Sequence, residues 1–279
     1  MAIIGSISSK CSLAATPIVQ ESKVPMIATS STNPKVTETG DYVFRACFID
    51  PFQGTVVSKF AIENLSAKKA AILFDNGNDY SKGLAEYFKS NFIKLGGEVA
   101  ASETYNTGEQ DFNAQLTKIK ALNPDVLFIP DYYSTVGLVT KQARALGIKA
   151  TFLGGDGWDS EDLVKIGGTS VDGAYFSNHY SPEDISEEVT GFRKKYEEKY
   201  KSTPDALAVL AYDAGKILLA AIDNADKTDG ETVKNAMAKT DINVVTGRIT
   251  FDNKRNAVKS AVIIKMEGGK QKVAAKINP

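Results

Sequence analysis

Residues 70–105 read AAILFDNGNDYSKGLAEYFKSNFIKLGGEVAASETY, and their pattern decides the fold. Residues 70–74 form a short apolar run of strand length. Within 82–95, Leu84, Tyr87, Phe88, Phe92 and Leu95 recur at spacings of three and four, which is one apolar face of a helix, and Gly96-Gly97 is a stop. Residues 98–105 return to a β-rich pattern. Strand, amphipathic helix and strand in that order make the unit of a parallel sheet covered by helices.

The same rhythm extends in both directions. Strands are expected at 2–4, 25–28, 126–130, 151–154 and 174–177, and a helix at 111–122 with Phe112, Leu116, Ile119 and Leu122 as its stripe. Asp111 is the candidate N-cap of that helix, and Asn123-Pro124 ends it. After Ser177 the rhythm changes to three helices, at 186–201, 205–224 and 229–238, with no convincing strand between them. Residues 247–252, 258–266 and 270–273 look like antiparallel strands around a turn. The expected class is α/β, without internal repeat or low-complexity linker.

With 43% hydrophobic and 24% charged residues in 279, the chain can bury a core and is long enough for two domains. The balance of 33 Lys+Arg against 34 Asp+Glu leaves a net charge of -1, so no global field favours nucleic acid or an anionic membrane surface. No run approaches the ~20 apolar residues of a spanning helix. The start lacks the basic region and apolar core of a signal peptide, and Ser8-Ser9-Lys10 before Cys11 is a poor lipoprotein cleavage site. Cys11 and Cys47 are two buried free thiols or one bridge, and neither has metal-ligand spacing around it.

Three strand ends carry the chemistry. Ser6, Ser8 and Ser9 follow the first strand and lead into a helix at about 12–21, where hydroxyls and free helix N–H groups either bind an anion or merely cap the helix. Ala28-Thr29-Ser30-Ser31-Thr32-Asn33-Pro34 sits at the end of the neighbouring strand, as part of an anion site or as a polar turn. Leu153-Gly154-Gly155-Asp156-Gly157-Trp158-Asp159 ends a later strand with three glycines that admit a close approach, a carboxylate suited to an ammonium, and the sole Trp. The alternative there is that Asp156 caps a helix from about residue 160 and Trp158 packs in a groove. Tyr80 and Tyr132, also beyond strand ends, offer flat walls with hydroxyls. The sole histidine, His179, has no Ser or Asp partner in a recognisable motif, and no paired carboxylates stand out, so the chain reads as a non-enzyme without metal or cofactor.

In order, Ile3-Ile4-Gly5-Ser6 with Ser8-Ser9, Pro25-Met26-Ile27 with Thr32-Asn33-Pro34, Phe44-Arg45 with Gln53-Gly54, Asp79-Tyr80-Ser81-Lys82-Gly83, Asp111-Phe112, Gly154-Gly155-Asp156-Gly157 and Tyr212-Asp213-Ala214 resemble the type I periplasmic binding proteins of the leucine/isoleucine/valine branch. The resemblance runs nearly end to end. It implies two Rossmann-like lobes, residues 1–46 with 178–245 and residues 47–177 with 246–279, joined by crossings near 46–49, 177–180 and 245–248. It implies an extracellular or periplasmic receptor of an ABC transporter, a cell-surface lipoprotein included, that closes on a small α-amino acid and presents itself to a membrane permease. A sensory module of the same fold is the alternative. Ser9, Ser30 and Thr32 then meet the ligand carboxylate, Asp156 its amine, and Tyr80 and Tyr132 close over it. Trp158 and Leu207 tune the side-chain preference.

The chain also departs from that pattern. Family members begin about 70 residues earlier, so the first lobe is expected to be incomplete and the first strand to keep an open edge, through which a second copy could pair. Leu207 stands where relatives place a Phe, and Ser8 where some carry a disulfide cysteine.

Overall fold

The computed structural model describes residues 1–278. Along the chain run β1 (Ile3–Ile4), α1 (Ser9–Glu21), β2 (Met26–Ala28), α2 (Lys35–Glu38), β3 (Val43–Arg45), α3 (Asp50–Glu63), β4 (Lys69–Asp75), α4 (Asp79–Lys94), β5 (Glu98–Tyr105), α5 (Asn113–Leu122), β6 (Val126–Phe128), α6 (Tyr133–Ala145) and β7 (Thr151–Gly154). A single 3-10 turn (Asp156–Trp158) precedes α7 (Glu161–Gly167). There follow β8 (Tyr175–Asn178), α8 (Glu187–Tyr200), α9 (Ala206–Asp223), α10 (Gly230–Met237), β9 (Asp241–Val244), β10 (Gly247–Phe251), β11 (Ala257–Val258), β12 (Ala261–Glu267) and β13 (Lys270–Ile277).

Two compact units result. Unit 1 comprises Met1–Ile49, Pro182–Ala261 and Asn278; unit 2 comprises Asp50–Ser181 and Val262–Ile277. Residues 246–261, expected in the second lobe, group with unit 1. The reason is strand pairing, because β10 runs antiparallel to both β9 (Ile249 opposite Ile242) and β11 (Thr250 opposite Val258).

In unit 1, β1, β2 and β3 form a parallel sheet with Ile3 opposite Met26 and Ile27 opposite Phe44. Side chains alternate across a strand, so Met26, Ala28 and Val43 pack with Val19 and Val36 on one face. Ile27 and Phe44 turn to the other, where α9 brings Leu210, Ala214 and Ile217. Asp205 caps α9 by accepting the Ala208 N–H at 2.8 Å. Among the described residues β1 is paired only with β2, and Ile3 and Ile4 are 40% and 48% exposed.

In unit 2 seven strands run in the order β13-β12-β8-β7-β6-β4-β5. The stretch from β8 to β5 is parallel, and β12 is antiparallel to β8. One face carries the large core, with Leu73, Phe112, Leu127, Phe152, Trp158 and Phe176 fully or nearly fully buried.

Several expectations shift. The strand β3 is only three residues long, too short for its alternation to register in the sequence, and β9 was likewise not expected. Helix α3 buries Asp50, Gln53 and Ser58 beside Val56, Val57 and Phe60, with Gly54 lying so close to Tyr87 that a Cβ would stand 2.7 Å away, and so its buried side does not read as an apolar stripe. Asp111 is not the N-cap of α5; that position is Phe112, and the Asp111 carboxylate accepts the Asn113 N–H one step earlier at 3.0 Å. Helix α1 begins at Ser9, capped by Ser8, rather than at residue 12. Cys11 and Cys47 form no disulfide with each other; Cys47 is buried, and Cys11 is exposed instead of buried. Among the described residues no helix is long and apolar enough to cross a membrane, and no group of side chains could hold a metal ion.

Candidate functional site

In unit 2 the ends of β4, β6, β7 and β8 converge on Asp156. Its Oδ1 accepts the Tyr80 hydroxyl at 3.0 Å, and its Oδ2 lies 3.1 Å from His179 Nε2. Tyr80 in turn accepts the Gly157 N–H at 3.1 Å, so a chain of donors leads from the backbone to the carboxylate. Burial, reinforced by the charges of Asp156 and Asp50, raises the Tyr80 pKa far above its usual range and keeps the hydroxyl a donor. From α3, Gln53 Oε1 accepts both the Asp156 N–H at 2.8 Å and the Ser177 hydroxyl at 2.7 Å, fixing the backbone that carries the acid. Tyr132 leans on Tyr80 with ring centroids 5.1 Å apart.

The glycines before the acid have a packing reason. A Cβ on Gly154 would stand 2.0 Å from the Trp158 indole, and one on Gly155 2.7 Å from the Tyr80 hydroxyl. What comes close to this backbone is therefore the unit's own side chains. Trp158, expected to tune specificity, is instead fully buried in the core, its indole N–H donating to the Ile129 carbonyl at 2.9 Å. Asp156 does not cap the following helix; Ser160 does, accepting the Asp162 N–H at 3.1 Å.

Beside Tyr132 lies Asp131, which the sequence reading passed over. It accepts the Tyr105 hydroxyl and, at 2.7 Å, the Tyr132 N–H. Burial pushes its pKa up to about 6 against the pull of those two donors, with Asp75 adding to the rise. Between about pH 4 and pH 6 the folded chain holds a proton there that the unfolded chain has given up, so stability falls as pH rises through that window by about 3 kcal/mol in all. The Asp131→Asn variant is expected to lack this loss. Urea midpoints from pH 4 to pH 7 should diverge in favour of the variant, and parallel curves would refute the assignment.

In unit 1 the strand ends of β1 and β2 meet the start of α1. Ser9 Oγ accepts the Asn33 N–H at 3.2 Å and keeps its own proton to donate. Thr32 is fully buried, and its Oγ1 has no hydrogen-bond partner among the described residues. Ser30 donates to the Ile7 carbonyl at 3.2 Å and Ser31 to those of Ser6 and Ile7, so these hydroxyls brace the turn. Behind the loop, Arg45 donates from Nη1 to Ser31 O at 2.6 Å and from Nη2 to Asn33 O at 2.9 Å. Leu207 is half-buried in the first turn of α9, outside the buried core cluster.

Unit 1 thus presents donors with the leading N–H groups of a 13-residue helix, an arrangement for an anion. Unit 2 presents a buried carboxylate that, among the described residues, no Lys or Arg pairs with.

Two parallel-sheet α/β units of this kind, each with polar strand ends, define the type I periplasmic binding protein fold. The chain belongs to the periplasmic binding protein family, whose profile matches residues 1–270. It is 42% identical to a leucine binding protein of Thermotoga maritima, with a TM-score of 0.97 over 100% of this chain and 80% of that one. A branched-chain amino acid transporter substrate binding protein of Streptococcus pneumoniae, solved in complex with isoleucine, is 34% identical with a TM-score of 0.91 over 99% and 78% of the two chains. The Leu/Ile/Val-binding protein homolog 2 of Brucella abortus is 34% identical over 259 residues, 90% of this chain and 68% of its own length. Among curated relatives the chain spans 61 to 68% of their length.

Proposed function

We propose that this chain is the amino-acid-binding part of a solute receptor that serves an ABC transporter outside the cytoplasm, and that its ligand is a small aliphatic α-amino acid such as leucine, isoleucine or valine. The observation that carries the proposal is chemical. One unit offers an anion site with an unsatisfied buried hydroxyl, Thr32 Oγ1, and the other a buried carboxylate without a permanent cation. An unpartnered buried polar group costs free energy, so its retention favours a partner that comes and goes. A zwitterion supplies both partners at once.

In this proposal Ser9, Thr32 and the first N–H groups of α1 receive the carboxylate, with Ser30 bracing their turn. Asp156 receives the ammonium, Tyr80 and Tyr132 wall the aliphatic portion, and Leu207 contributes to side-chain preference. The names of the leucine- and isoleucine-binding relatives support the aliphatic class.

Thermal unfolding with each amino acid at millimolar concentration tests this. A ligand at 100 times its Kd adds about 2.7 kcal/mol to the folded state, which moves Tm by roughly 5 °C or more. A shift for leucine, isoleucine or valine is expected; no shift with any amino acid, in a cooperatively folding sample, would overturn the proposal.

A further inference from the structure

The sole histidine of the chain, His179, follows β8 and has a fully buried side chain. Its Nε2 faces Asp156 Oδ2 at 3.1 Å while the other carboxylate oxygen holds Tyr80, so the acid is bracketed by two side chains. The turn that carries the imidazole is pinned in its own right. The His179 N–H donates to Asn178 Oδ1 at 2.8 Å, and Asn178 Nδ2 donates to Asp159 Oδ2 at 2.9 Å.

We propose that His179 is a positioning residue and proton switch for Asp156, holding the carboxylate toward the ligand amine when neutral and cancelling its charge when protonated, so that acid favours amino-acid release. The inference rests on Asp156 being the ammonium's partner. A neutral imidazole that donates from Nε2 leaves the carboxylate its full negative charge. Gain of a proton at Nδ1 makes the pair neutral overall, and a ligand ammonium then meets a cation beside its acceptor. Histidine as a residue type is the side chain that changes charge between pH 5 and pH 8, a range in which the ligand's own two charges stay fixed. Linkage requires the reverse effect as well, so a bound amino acid drives the proton off His179.

Other titratable groups surround the pair within unit 2. Tyr80 sits on Asp156 and feels Asp50, Asp159 reaches the turn through Asn178, and Asp131 adjoins Tyr132. Asp131, with its pKa of about 6, titrates in the same window, and a comparison in which it is present on both sides removes its contribution.

Two measurements test the proposal. Because there is one histidine, its imidazole C–H signal in an NMR titration needs no assignment. Without ligand, Asp156→Asn is expected to lower the imidazole pKa by about one unit, since the neighbouring anion favours the charged ring; an unchanged value overturns the pairing. With ligand, the leucine affinity of the unmodified chain, read by calorimetry from pH 8 to pH 5, is expected to fall about tenfold, while His179→Gln, which keeps a donor but cannot titrate, stays nearly flat. An equally steep fall in the variant overturns the switch. Failure of the unmodified chain to bind any amino acid at pH 8 would count against the proposed function alone, because the titration still decides the pairing.

Discussion

Replacing Asp156 by Ala is expected to weaken amino-acid binding by about 3–5 kcal/mol, a loss of more than a hundredfold in affinity, because in the proposed site the ligand's ammonium is left without its counter-charge. Within the folded protein the carboxylate accepts the Tyr80 hydroxyl and faces His179, and both groups lose that partner in the variant. A stability loss of about 1–3 kcal/mol should accompany the binding defect. Asp156→Asn separates the two effects. The amide keeps an oxygen for Tyr80 and the shape of the side chain but carries no charge, and its NH2 group requires His179 Nε2 to accept in the other tautomer, so it is expected to lose less stability than the Ala variant and still bind poorly. Calorimetric titration with leucine, alongside urea unfolding of each variant, reads both quantities. An Ala variant that binds within threefold of the unmodified chain would remove Asp156 from the site.

The strand ends were legible because their chemistry is local. Hydroxyls after β1 and β2, a carboxylate after β7, and tyrosines after β4 and β6 all lie next to runs whose period marks them as strands. Packing across the fold was not legible. Gln53 is 103 residues from Asp156 and His179 is 23 residues from it, and no spacing rule joins them. The burial of Trp158 was not legible for the same reason, since a lone Trp beside glycines looks the same in sequence whether the glycines admit a ligand or the indole itself. A Cβ on Gly154 would collide with the indole, so this glycine admits Trp158. The grouping of residues 246–261 with unit 1 was not legible either, because β10 pairs with β9 and β11, and the turn between β9 and β10 is held by a distant acid, Asp213 on α9, which accepts the Val245 and Thr246 N–H groups at 2.9 and 3.0 Å. A resemblance that orders motifs along the chain says nothing of which strand closes which sheet.

Replacing Arg45 by Ala is expected to cost stability and binding together, by about 3–5 kcal/mol of folding free energy, as several buried acceptors lose their donor. The guanidinium is fully buried at the end of β3, and it spans the loop that carries Thr32. Nη1 donates to Ser31 O, and Nη2 is shared among Asn33 O, Pro34 O at 3.2 Å and Thr37 Oγ1 at 3.0 Å. Loss of the fork leaves several buried acceptors without a donor, and each costs about 1–3 kcal/mol if water cannot reach it. Thr37 retains support from Asn256 Oδ1, and Arg255 donates to Thr37 O, so the far end of the loop should hold while its Ser31–Asn33 end loosens. That end places Thr32 and, through the Asn33 N–H, the Ser9 hydroxyl. Arg45→Lys is the sharper probe. It preserves the charge, but a single ammonium cannot reproduce a planar fork that reaches Ser31 and Asn33 at once. The Lys variant is therefore expected to recover part of the stability and little of the leucine affinity. Urea midpoints and calorimetric affinities measured on the same preparations decide the matter: a Lys variant with full affinity would show that the loop is positioned without the fork.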